Sequence, residues 1–155
     1  MIKIHKLTLL ALALWVVTIV VLAWVFVHGN TRSGTDGRTA IVLKSTERNL
    51  ILAEMRTFLS STQGILEGAN QGNRDLVFQA ASASAMPETD DEKLVLMAKL
   101  PMDFKMLGMS VRSDMAAIAA AAKSTTPTPE ILQMTANTLT KCVACHATWQ
   151  LQSNP

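Results

Sequence analysis

Residues 129–151 read PEILQMTANTLTKCVACHATWQL, and within them stands Cys142-Val143-Ala144-Cys145-His146. This is C-x-x-C-H, the spacing that attaches a c-type haem. Two thiols one helical turn apart can add to the two vinyl groups of the haem, and the next imidazole can ligate the iron from the same side. The whole stretch is predicted to be one helix that carries the motif near its end. These are the only two cysteines in the chain. Other uses of C-x-x-C are a redox dithiol or half of a zinc site. A dithiol motif normally opens a helix after a strand, and no βαβ pattern is legible here. A zinc site needs about four ligands, and no second Cys or His cluster is present to supply them.

Upstream of that stretch the chain reads as all-helical, with no alternating β pattern and no internal repeat. A first long helix is predicted from Arg38 to Gly68, where Ile51, Phe58 and Ile65, and Ile41, Leu52, Met55, Leu59 and Leu66, recur at helical spacings. Gly68–Gly72 breaks it. A short helix follows over 73–85, then a loop at Met86–Asp90 and a short helical piece over 91–100. Another helix starts at Pro101, a favourable first-turn residue, and runs to Lys123 with Phe104, Leu107, Val111, Met115, Ile118 and Ala122 as its stripe. Short connections between such helices predict an antiparallel four-helix bundle, with the last helix beside the first and the motif enclosed between them.

The other end of the chain decides location. Leu7–Val27 holds no charge in 21 positions, and at about 1.5 Å per residue it spans roughly 30 Å, the depth of a bilayer core. Lys3 and Lys6 precede it, so the positive-inside rule puts Met1 in the cytoplasm and the rest outside, with Trp24 near the outer interface. The competing reading is a signal peptide cleaved near Val27-His28-Gly29; the apolar run is longer than the usual signal core. Either reading delivers the domain to an extracytoplasmic compartment, the periplasm in a bacterium, where c-type haems are attached. The expected organisation is an anchor over 1–28, a linker over 29–37 and a haem domain over 38–155. Beyond His28 the 12 acids and 12 of the 14 Lys and Arg residues cancel. No basic field is present to recruit nucleic acid. Nor do paired carboxylates, a nucleophile–base arrangement or a phosphate loop point to hydrolysis or group transfer. The cluster Asp90-Asp91-Glu92 reads as a solvated helix start.

A c-type haem motif near the carboxyl end of a four-helix bundle resembles the cytochrome c′ and cytochrome c-556 class. The resemblance covers about residues 38–150. It extends to the first helix, where Arg48, Leu52, Met55 and Glu67-Gly68 stand at the family's spacing. It departs in the anchor, since most relatives are soluble, and at Gln150, where the family often carries a basic residue. The resemblance implies one covalent haem c held by Cys142, Cys145 and His146, with His146 as the iron's proximal ligand. It implies Leu52 over the open face and Arg48 near a haem propionate, with Met55 beside them.

A leucine at the distal position leaves five-coordinate, high-spin iron; relatives with methionine there are six-coordinate. Of the other histidines, His5 is expected to be cytoplasmic and His28 at the membrane edge. Met55, Met106, Met109, Met115 and Met134 lie within predicted helices, where methionine is mostly core filler. Trp149 is expected to pack in the core at the bundle end. The expected function is electron transfer with redox partner proteins at the membrane face. Alternatives are binding of nitric oxide or carbon monoxide, or a haem subunit of a larger respiratory or photosynthetic complex. A homodimer is also open.

Overall fold

In the computed structural model, residues 6–86 and 91–153 are described, and the side chains of 91–93 are not. Met1, Lys3, His5, the loop residues 87–90, Asp90 and the side chains of Asp91 and Glu92 therefore lie outside the described residues. Six helices are present among the described residues: α1 (Lys6–His28), α2 (Ser45–Asn70), α3 (Arg74–Ala85), α4 (Asp91–Lys99), α5 (Met102–Ala122) and α6 (Thr128–Thr148). Each corresponds to a predicted segment, and α1 is long and apolar enough to cross a membrane, with a mean hydropathy of 2.8 and none of its residues buried.

Two helix boundaries differ from expectation, and both differences create strands. Residues 39–43, Thr-Ala-Ile-Val-Leu, fall within the first predicted helix but form β2 (Thr39–Leu43), with Ala40, Ile41, Val42 and Leu43 all buried. A short continuous apolar run fits a buried strand or a buried helix equally well by period. Here the β-branched Ile41 and Val42 and the pairing partners on both sides decide for the strand. The last helix ends at Thr148 rather than Leu151, because Trp149 turns extended (φ −117°, ψ 147°) and opens β3 (Trp149–Ser153). The stretch expected as a linker supplies β1 (Thr31–Ser33), antiparallel to β2, while β3 runs parallel to β2 from Thr39↔Trp149 to Leu43↔Ser153. The order β1-β2-β3 thus binds the chain just after α1 to the chain just after the C-x-x-C-H motif.

Small residues let the helices approach. A Cβ on Gly64 would stand 2.8 Å from the Ala80 methyl, and one on Gly68 would stand 2.9 Å from the Val77 backbone nitrogen. Ser61 and Ser84, both buried, share a 2.6 Å hydrogen bond across the same α2–α3 seam. α3 packs in turn on α5, and α5 on α6. Arg74, at the start of α3, donates to the Ala121, Ala122, Ser124 and Thr126 carbonyls at 2.6–3.0 Å and so satisfies the carboxyl end of α5.

Two cores result. One joins Ile65, Val77, Ala81, Met115, Ile118 and Ile131 at the far end of the helices. The other joins Ile41, Leu43, Ile51, Leu96 and Leu100 at the sheet end, with Phe104, Trp149 and Leu151 packed against it. Trp149 therefore does enter a core, but from a strand, edge-on to Phe104 with ring centroids 6.3 Å apart.

Candidate functional site

Between these cores α2 and α6 scarcely touch, and the space left is a cavity of about 630 Å³ walled by α2, α5 and α6. Helical periodicity builds each wall. On α6, Cys142, Cys145 and His146 lie at i, i+3 and i+4 and therefore share a face; all three line the cavity. On α2 the lining runs through Ile51, Leu52, Met55, Phe58, Leu59 and Thr62, and on α5 through Phe104, Leu107, Gly108 and Val111. Gly108 has nothing within 4 Å of where a Cβ would stand.

The interior surface is apolar and its charges stand at Glu54, Arg56 and Lys141. Glu54 pairs with Arg112 at 3.0 Å, and Arg112 lies 5.2 Å over the Phe58 ring. Lys141 pairs with Asp114 at 2.6 Å. Leu59, Leu139 and Val143 border this space with exposed side chains. A space of this volume, mostly apolar with a few placed polar groups, matches the general form of cofactor sites.

The six sequence-derived site residues separate here. Cys142, Cys145, His146, Leu52 and Met55 come together around the one cavity, although α2 and α6 are far apart in the chain. Arg48 does not line it; its Nε donates to the Leu151 carbonyl of β3 at 3.4 Å. The cavity-side cations are Arg56 and Lys141, which sequence reasoning missed. Arg56 lies one helical turn beyond Leu52, so the i, i+4 spacing on a helix face could have found it. Of the five methionines singled out from the sequence only Met55 lines the cavity; Met115 is core, Met134 packs against it, and Met106 and Met109 are exposed. His28 stacks on Trp24 at the end of α1, with ring centroids 3.6 Å apart.

Burial pushes both thiols above the ordinary cysteine value, Cys145 further helped by its neighbour Cys142. Both are protonated at neutral pH, which disfavours a thiolate nucleophile. Among the described residues no group of three or more His, Cys, Asp and Glu gathers as a metal site would need. The end of α6 is held from the sheet side. Arg38 donates to the His146 and Trp149 carbonyls at 3.2 and 3.4 Å while pairing with Asp36, and the Gln150 amide donates to Asp36 at 3.0 Å.

Comparison with family models, curated proteins and solved structures finds no match.

Proposed function

We propose that this chain is a membrane-anchored, single-haem c-type cytochrome of the cytochrome c′ kind, built on a four-helix bundle of α2, α3, α5 and α6. Its function is electron transfer at the outer face of the cytoplasmic membrane. One observation carries this reading: the two thiols and the imidazole of C-x-x-C-H open from one helix face into an apolar cavity of cofactor size. The residues present fit a haem. The Cys142 and Cys145 thiols would add across its vinyl groups, which consumes each S–H and releases nothing, and protonated thiols match that chemistry. His146 would ligate the iron. Leu52 and Met55 would face it from α2, and Arg56 and Lys141, which line the cavity, would supply cations for its propionates. When bound, the haem supplies the one-electron couple.

The protein's own part is to hold that group, exclude water with α2 and α5, and fix His146 through Arg38 and the sheet. The α1 helix supports retention at the membrane, where tethering raises effective concentration near membrane partners. A second reading, binding of nitric oxide or carbon monoxide, is favoured by Leu52 on the α2 wall. A leucine side chain there offers no donor to a bound ligand and disfavours oxygen, which gathers negative charge.

The test is the absorption and EPR spectra of the purified protein, ferric and ferrous, with and without carbon monoxide, followed by denaturation. Haem that stays with the denatured chain, and leaves it only when Cys142→Ala and Cys145→Ala are combined, supports thioether attachment. Haem lost from the denatured wild type overturns the proposal. High-spin iron with prompt carbon monoxide binding favours the gas-binding reading; low-spin iron that resists it favours electron transfer.

A further inference from the structure

Large apolar side chains stand exposed on α4 and α5, away from the cavity: Leu94 at 65 %, Val95 at 59 %, Met106 at 58 % and Met109 at 52 %. On α5 the two methionines lie on the side opposite Phe104, Leu107, Gly108 and Val111, which face the cavity. On α4, Leu94 and Val95 lie opposite the buried Leu96. An amphipathic core helix should be polar on that side.

Both helices pack against the carboxyl end of α1. Lys105 is buried between them: its Nζ donates to the Phe26 carbonyl at 2.9 Å and lies 3.6 Å over the Phe26 ring. Burial pushes its ammonium pKa down, and the helix-end carbonyl and the ring offset that cost. Gly29 ends α1 with φ +63°, and a Cβ there would stand 2.5 Å from the Pro101 nitrogen. Asn30 donates its N–H to the Lys99 carbonyl at 2.8 Å and accepts from the Val42 N–H at 2.8 Å. Within two residues of its end, α1 is tied to α4, α5 and β2.

We infer that the exposed face of α4 and α5 beds into the lipid interface of the membrane that α1 spans. The inference rests on the membrane reading of α1. The occupant follows from continuity. The apolar surface of α1 needs lipid along its length, and the clamp at Phe26, Gly29 and Asn30 holds the Leu94, Val95, Met106 and Met109 surface beside its exit. Interfacial helices bury just such a face at the headgroup–acyl boundary. The consequence is orientation: lipid takes one side of α5, and the cavity opens on the other, toward water and soluble or lateral partners.

The experiment is hydroxyl-radical footprinting of the full chain in phosphatidylcholine–phosphatidylglycerol vesicles, read residue by residue by mass spectrometry. Leu132→Met, at the opposite end of the helices from α1, gives an exposed reference methionine. Protection of Met106 and Met109 by several-fold relative to residue 132, at every protein-to-lipid ratio, is the expected result. If Trp15 in α1 is protected while Met106 and Met109 oxidise as fast as the reference, the interfacial face is wrong and the anchor stands. Protection that rises with protein-to-lipid ratio means a second copy covers the face, and also overturns it. A Trp15 as reactive as the reference removes the anchor, and the inference falls with it.

Discussion

Leu52 and Met55 stand on one wall of the cavity, three positions apart on α2, and offer opposite chemistry to a group seated against His146. A leucine has no lone pair to give; a thioether does. If the proposed haem seats its iron nearest Leu52, Leu52→Met should convert high-spin to low-spin iron in the EPR spectrum and slow carbon monoxide binding by an order of magnitude or more. The volume change is small, so the fold should lose less than about 1.5 kcal/mol. An unchanged spectrum would move the iron away from position 52. Residue chemistry of this kind was legible where it sat in adjacent positions, as in Cys142–His146. Arg48 was not, because its partner is the Leu151 carbonyl, and that carbonyl comes within reach only when β3 pairs beside β2.

Elements are held to one another by a few charged contacts at their ends. Glu47, in the first turn of α2, accepts from the Lys44 N–H at 2.9 Å and pairs with Lys99 at the end of α4. The Lys99 ammonium first, and the Lys44 N–H after desolvation is counted against it, hold the Glu47 carboxyl below its ordinary value near 4.5. A carboxylate with a depressed folded pKa contributes stability that is complete above its unfolded value and is lost as pH falls through the folded one. Glu47→Gln should therefore cost about 1–2 kcal/mol in urea unfolding at pH 7. The gap should narrow as pH falls below the ordinary value and close once the folded carboxylate is protonated, and a pH-independent gap would assign the effect to packing.

Arg74 makes a second such joint, with four carbonyl acceptors at the end of α5. Arg74→Ala should lower stability by about 2–3 kcal/mol, and Arg74→Lys should restore little, since an ammonium cannot reproduce the guanidinium fork. Amide exchange over 118–122 should quicken with the loss; unchanged exchange there would deny Arg74 its capping role. The helices themselves were readable because their apolar periods run long. The strands were not, since five residues such as 39–43 carry too few repeats to separate a strand from a helix, and the parallel partner β3 lies at the far end of the sequence beyond α6.

At the scale of the molecule, α4, α5 and β2 meet at the carboxyl end of α1, and Lys105 is the buried cation in that joint. Its influence should be felt as attachment rather than as global stability. Replacing a buried charge by an apolar side chain of similar length removes a desolvation cost along with the interaction, and the net change in unfolding energy can take either sign. The joint alone has a definite direction. Lys105→Met takes the donor from the Phe26 carbonyl and the cation from the Phe26 ring, so the segment after α1 should open more often. A loss of about 1 kcal/mol there corresponds to about fivefold more opening. Trypsin cleavage after Arg32, which is exposed on β1, should accelerate by that factor in the vesicle-bound full chain. Lys123→Met, at a surface pair with Asp75, should leave that rate alone. Lys105 does not line the cavity, so the absorption spectrum should also stay as it is. Equal cleavage rates in the two variants would mean that the sheet, through Asn30 and β2, holds the domain to α1 without Lys105.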